Sequence, residues 1–172
     1  WNHISIQQNG NFRGCCQCVY PPFSGLIKDN DEPMNILDTT IDEARNSKVL
    51  KEMRKQMMAG EEPSLCKLCF EEEESGFHSK RAKMNKNKKY FIENVEKTQE
   101  DGTIDTKDFP LQYMDIRFGN LCNQACRSCG PSDSSLWYED SALMSDTKLF
   151  NHYGNKTYKF IKKGNTWTVN SD

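Results

Sequence analysis

The chain has 172 residues, 35% of them hydrophobic and 28% charged, with a formal net charge of −2. That length carries one domain with a core or two small ones, and no run is apolar enough to span a membrane. Its eight cysteines come without a secretory segment, which argues against a disulfide-stapled secreted fold and for thiols kept reduced in the cytoplasm and used as metal ligands.

In chain order, His3-Ile4-Ser5-Ile6-Gln7 alternates as a strand does. Gln8-Asn9-Gly10-Asn11 supplies residues that tolerate positive φ, and Phe12 to Cys16 returns, so a hairpin is expected within residues 1–20. It carries Cys15, Cys16 and Cys18. Residues 21–33, rich in Pro, Gly, Asp and Asn, read as a loop. Residues 40–59 read as helical, capped by Thr39 or Thr40 with Glu43 near the first turn. The apolar positions Ile41, Ala44, Val49, Leu50, Met53 and Met57 fall at irregular helical spacing, which predicts a break near Asn46-Ser47. Met53, Met57 and Met58 read as packing filler rather than as ligands.

Gly60-Glu61-Glu62-Pro63-Ser64 stops that helix, and Cys66-Lys67-Leu68-Cys69 opens the next. One charged helix is expected over residues 70–87, with glutamates at 71–74 beside its start and lysines between 80 and 89 at its end, the order a helix dipole favours. The basic run reads as a solvated helix end balanced by those glutamates rather than as a nucleic-acid surface. His3 and His78 read as packing or surface residues. A polar linker with Asp101-Gly102 follows, and residues 111–118 read as a strand.

Directly after that strand stand Cys122, Cys126 and Cys129, as Cys-Asn-Gln-Ala-Cys-Arg-Ser-Cys. Three thiolates in a C-x3-C-x2-C run can hold three corners of a cubane iron–sulfur cluster, and a small molecule can then bind and react at the iron left open. Structural zinc more commonly uses paired C-x2-C knuckles. Residues 132–149 read as a helix with Ser132 or Asp133 as its N-cap, and residues 157–169 as a hairpin around Lys163-Gly164-Asn165. Neither a general acid–base pair nor a nucleophile with a partner histidine is visible, so no catalytic side chain is assigned.

The cysteine run, within Asp-Ile-Arg-Phe-Gly-Asn-Leu-Cys-Asn-Gln-Ala-Cys-Arg-Ser-Cys-Gly-Pro-Ser, resembles the cluster loop of the radical S-adenosylmethionine (radical SAM) superfamily. The resemblance implies that Cys122, Cys126 and Cys129 bind a [4Fe–4S] cluster whose open iron is chelated by S-adenosyl-L-methionine. Reductive cleavage of the sulfonium would then start hydrogen-atom abstraction from a substrate. Ser128 stands where that family usually places an aromatic residue. Asn120 and Asn123 are candidates for shaping the loop.

Upstream, Trp1 to Ile6, Gly10-x4-Cys15-Cys16, a helix bearing Arg54, and Pro63-Ser64-Leu65-Cys66-x2-Cys69 are similar to the auxiliary-cluster module called SPASM, or twitch in its short form. By that resemblance Cys15, Cys66 and Cys69 hold an auxiliary iron–sulfur cluster. The module usually begins with a cysteine before a Pro-Trp pair, and this chain begins at Trp1. The resemblance therefore implies that this cysteine, one expected ligand, is cut off, with Cys16 or Cys18 able to replace it as the fourth. Glu74, Ser79 and Arg81 also recur in the module, without an assigned role.

The combined expectation is an α+β chain. A small cysteine-rich module of hairpin and helices occupies residues 1–95, and residues 96–110 are the linker. Residues 111–172 begin an incomplete radical SAM core, the first βα unit of a partial (β/α)6 barrel. No Gly-Gly-Glu-type motif for the methionyl amine follows, so the chain is expected to be a fragment that is inactive alone. The resemblance implies an electron donor such as a flavodoxin or ferredoxin and a peptide, protein or related substrate. The alternative is a non-catalytic zinc-binding interaction module, since four thiolates suit zinc as well as iron.

Overall fold

The computed structural model describes residues 1–18, 25–86, 88–131, 133–144 and 159–170. The chain forms two compact units, Trp1–Arg117 and Phe118–Asp172. Both mix α and β structure in small sheets and short helices, and no barrel is formed among the described residues.

In the first unit, β1 (His3–Ile6) is the middle strand of a three-stranded sheet. It pairs antiparallel with β2 (Phe12–Arg13), and Gly10 at φ +83° makes the turn between them. The hairpin expected from alternation is present, but its central strand is covered on both faces. Ile4, Ser5 and Ile6 are all buried, and the Ser5 hydroxyl donates to Asp115 at 3.1 Å. Within the segment read as a loop, β3 (Lys28–Asp29) and β4 (Glu32–Pro33) form a hairpin. Asn30 and Asp31 both take positive φ there, the geometry of a type I′ turn, which short polar side chains tolerate.

The helix expected over residues 40–59 is two helices, α1 (Ile41–Arg45) and α2 (Lys48–Met58), broken where the spacing predicted. Thr40 and Glu43 form a reciprocal capping box at α1, and the Ser47 hydroxyl caps α2. The break turns Ala44 and Leu50 to the same core as Ile4, Ile6, Phe12 and Ile27.

One expectation fails at the charged helix. The chain forms α3 (Lys67–Glu74), α4 (Lys80–Met84) and α5 (Lys88–Lys97) instead. Gly76 at φ +81° ends α3 and Ser79 caps α4, two local stops that outweigh the helix-forming residues around them. The glutamates therefore occupy the C-terminal turn of α3, the unfavourable end of its dipole. Arg81 and Ser79 both grip Glu73 and offset that placement.

The segment expected to be a linker packs into the first unit. Ile104 and Phe109 are buried, and α1 and α2 reach across to hold the backbone around them. Arg45 donates to the Phe109 carbonyl, Arg54 to Gly102, and the Asn46 amide to Ile104. The strand β5 (Tyr113–Ile116) then pairs parallel with β1, from His3 opposite Tyr113 to Ile6 opposite Ile116. It belongs to the first unit, and the division falls after it.

In the second unit a 3-10 turn (Ser135–Trp137) leads into α6 (Tyr138–Met144). The helix begins later than Ser132 or Asp133 because the Ser134 hydroxyl donates back to the Gln124 carbonyl at 2.8 Å rather than capping. Ser132 and residues 145–149 lie outside the described residues. The expected tail hairpin is present as β6 (Lys159–Lys163) and β7 (Thr166–Asn170), with Gly164 at φ +61° opening the two-residue turn.

Candidate metal centres

The first unit encloses a cavity of about 380 Å³ walled by Cys15, Cys18, Cys66 and Cys69. Two come from the return of the β1–β2 hairpin. The other two sit on the 3-10 turn Ser64–Cys66 and the first turn of α3, which the loop after Gly60 and Pro63 delivers to the hairpin. Cys18 and Cys69 are buried, and Cys15 and Cys66 half-buried.

The four thiols perturb one another. Burial pushes the Cys66 thiol up to about 12, with the Cys15 and Cys69 thiols adding to the rise and Arg81 opposing it. Cys15 and Cys18 are a tightly coupled pair. Cys15 is driven toward thiolate, first by hydrogen bonding from Cys18, then by His3 and the backbone at Gln17, against its own burial. Cys18 is driven up as the donor of that pair, and by burial and the neighbouring Cys15, Cys66 and Cys69. The Cys18 sulfur also lies 3.0 Å from the Leu65 carbonyl. One thiol proton cannot serve both acceptors, and Cys18 is the donor in either arrangement. Binding of a metal or cluster needs thiolates and so releases protons from the thiols that still hold them.

Cations surround these thiols. Arg45, Arg54, Lys80 and Arg81 line the same cavity. Arg54 is fully buried, and its Nε donates to Gly102 at 2.6 Å while its Nη2 donates to the Arg45 carbonyl at 2.9 Å. Burial, then Arg45, lowers its pKa to about 10. His3 packs edge-on against Tyr113 at 4.7 Å, and its buried Nε2 has no hydrogen-bond partner among the described residues. Cys16 is not part of the cavity wall. It stands beside Lys80, whose ammonium lies 3.2 Å from the Tyr113 hydroxyl.

Among the described residues no group of three or more His, Cys, Asp or Glu side chains is disposed to grip a single metal ion. Tetrahedral zinc at about 2.3 Å from each sulfur draws its four ligands to within about 4 Å of one another. Cys15-x2-Cys18 and Cys66-x2-Cys69 form a pair of C-x2-C knuckles beside four cations, a donor set that serves zinc or an iron–sulfur cluster.

In the second unit, Cys122 and Cys126 are exposed and Cys129 half-buried, on a loop with fixed ends. The Asn120 amide donates to Pro131 at 3.0 Å and to the Tyr138 hydroxyl, and the Asn120 carbonyl accepts from the Ser135 amide at 2.7 Å. The Cys129 amide donates to the Cys126 carbonyl at 3.0 Å, and the Trp137 indole donates to the same carbonyl at 3.2 Å. Asn120 is thus a loop-forming residue, as expected, and Trp137 is one the sequence did not single out. Of the recurring trio, Ser79 and Arg81 meet at Glu73 rather than Glu74.

Among known proteins, no family model, curated protein or solved structure matches the chain. Among the described residues, no helix is long and apolar enough to cross a membrane.

Proposed function

We propose that this chain carries the catalytic-cluster loop and an auxiliary-cluster module of a radical SAM enzyme acting on a peptide, a protein or a related substrate. The observation that carries the reading is the C-x3-C-x2-C loop closing directly after β5, in a chain that also walls a cavity with four thiols. The C-terminal end of β5 leads into the cysteine loop.

Cys122, Cys126 and Cys129 would hold a [4Fe–4S] cluster, and Cys15, Cys66 and Cys69 would hold the auxiliary cluster. With S-adenosylmethionine bound, the first cluster supplies reductive cleavage of a sulfonium, the start of hydrogen-atom abstraction. The chain's own part is to position and to balance charge. Trp137 holds the Cys126 carbonyl between the thiols, and Asn120 ties the start of the loop to Pro131 at its end. Arg54 and Arg81 place positive charge beside the buried thiols, where low dielectric makes each charge count. A flavodoxin-type or ferredoxin-type donor in the cytoplasm supplies the electron.

Anaerobic reconstitution with iron and sulfide tests the reading in the wild-type chain and in a Cys122→Ala, Cys126→Ala, Cys129→Ala variant. Iron, sulfide, zinc and the visible spectrum are measured. Brown protein that loses about four irons in the variant supports the open cluster. Colourless protein with stoichiometric zinc overturns it and leaves a zinc-stapled interaction module.

A further inference from the structure

Resemblance to the auxiliary-cluster module leaves the fourth ligand of the upstream site open between Cys16 and Cys18. The geometry points to Cys18 as that ligand, which gives the auxiliary cluster a protein thiolate at every corner and no open iron for a substrate. The inference rests on the iron–sulfur reading of that site.

Three observations carry it. Cys18 shares the cavity wall with Cys15, Cys66 and Cys69, and Cys16 does not line it. The Cys18 amide donates to the Cys15 carbonyl at 3.2 Å, and its thiol lies 3.0 Å from the carbonyl of Leu65, the residue before Cys66. Cys18 therefore joins the hairpin pair to the C-x2-C pair. Thirdly, its position is built in from the far side of the loop. Gly25 takes φ +64°, and a Cβ there would stand 2.1 Å from both the Cys18 Cβ and the Cys18 carbonyl oxygen. Only a glycine lets the returning chain lie that close.

A cluster with four protein thiolates has no vacant coordination site. Any substrate coordination is then confined to the loop of Cys122, Cys126 and Cys129, and the upstream site is left to roles that need no bound substrate.

The test uses the full chain with Cys122, Cys126 and Cys129 all changed to Ala, so that only the upstream site holds iron. Cys16→Ala, Cys18→Ala or Cys18→Ser is added to that parent. Cys16→Ala is expected to keep the parent's iron and sulfide. Both Cys18 variants are expected to lose at least half of each and to change the electron paramagnetic resonance of the reduced protein, with an unaltered far-ultraviolet spectrum. Loss in Cys16→Ala with retention in the Cys18 variants overturns the assignment, as does equal retention in all.

A parent without iron and sulfide defeats the auxiliary-cluster reading and this inference with it. A parent that binds zinc, lost only in the Cys18 variants, defeats the cluster reading but keeps Cys18 as a ligand. Alkylation by iodoacetamide in the unmutated chain needs no substitution. Cluster loading should protect Cys18 at least tenfold and leave Cys16 unchanged; protection of Cys16 instead refutes the assignment.

Discussion

Gly25→Ala is the sharpest probe of how the four-thiol cavity is built. Two costs add at this position. Alanine at φ +64° enters the left-handed region, at about 1–2 kcal/mol. Its methyl would also lie 2.1 Å from the Cys18 Cβ and 2.1 Å from the Cys18 carbonyl oxygen. One of those atoms is backbone and cannot swing aside, so overpacking adds about 1–3 kcal/mol. Gly60→Ala is the matched control, because Gly60 sits at φ +76° with nothing within 4 Å of an added Cβ. It incurs only the conformational cost, and the unfolded-state gain from losing a glycine is common to both variants. The difference between them is therefore the Cys18 contact. With a urea slope of about 1–3 kcal/mol per molar, it moves the midpoint by about 1 M. Urea titration followed by far-ultraviolet circular dichroism reads it, and iron retained after reconstitution should fall in Gly25→Ala alone. Equal midpoints for the two variants would refute the placement of Cys18 against Gly25.

Three further outcomes follow from the structure. Arg54→Met leaves the Gly102 and Arg45 carbonyls without their donor and should cost about 3 kcal/mol in urea titration; a change under about 0.5 kcal/mol would show that water replaces the guanidinium. Glu73 is held below the ordinary carboxyl value of 4.5, first by the Ser79 hydroxyl, against slight burial, and then by Arg81. A depressed folded value stabilises above pH 4.5 and is lost as pH falls through that lower value, so stability should drop in acid and Glu73→Gln should flatten the drop. Parallel pH curves for the two proteins would contradict this. Asn120→Ala removes the donor to Pro131 and to the Tyr138 hydroxyl, about 1–3 kcal/mol of loop order. It should lower iron at Cys122, Cys126 and Cys129 about tenfold or more at limiting iron while the upstream site keeps its share.

The local features were legible because their physics is complete within a few residues. Thr40 and Glu43 form a capping box from their own spacing, Ser47 stops one helix and starts another, and Gly10 and Gly164 mark turns that need positive φ. The single helix expected across residues 70–87 went wrong for a related reason. Charge order along the chain favoured one helix, but Gly76 and Ser79 are stronger local signals, and they divide it. The type I′ turn at Asn30-Asp31 was also written in the sequence, inside a stretch whose composition hid its two short strands.

By itself, the sequence determined which residues can carry chemistry: three cysteines in a C-x3-C-x2-C run and a second group that a hairpin and a C-x2-C turn can bring together. Only the tertiary structure decided which thiols meet. Cys18 repeats with Cys15 the C-x2-C spacing of Cys66 and Cys69, and the structure adds the approach of Gly25 and Leu65 from elsewhere in the chain. Tertiary packing also drew the polar stretch around Ile104 and Phe109 into the core and set β5 beside β1. In each case the deciding partner lies outside the local sequence window. Caps and turns are fixed by neighbours along the chain, whereas burial and strand pairing are fixed by the surface against which a segment finally closes.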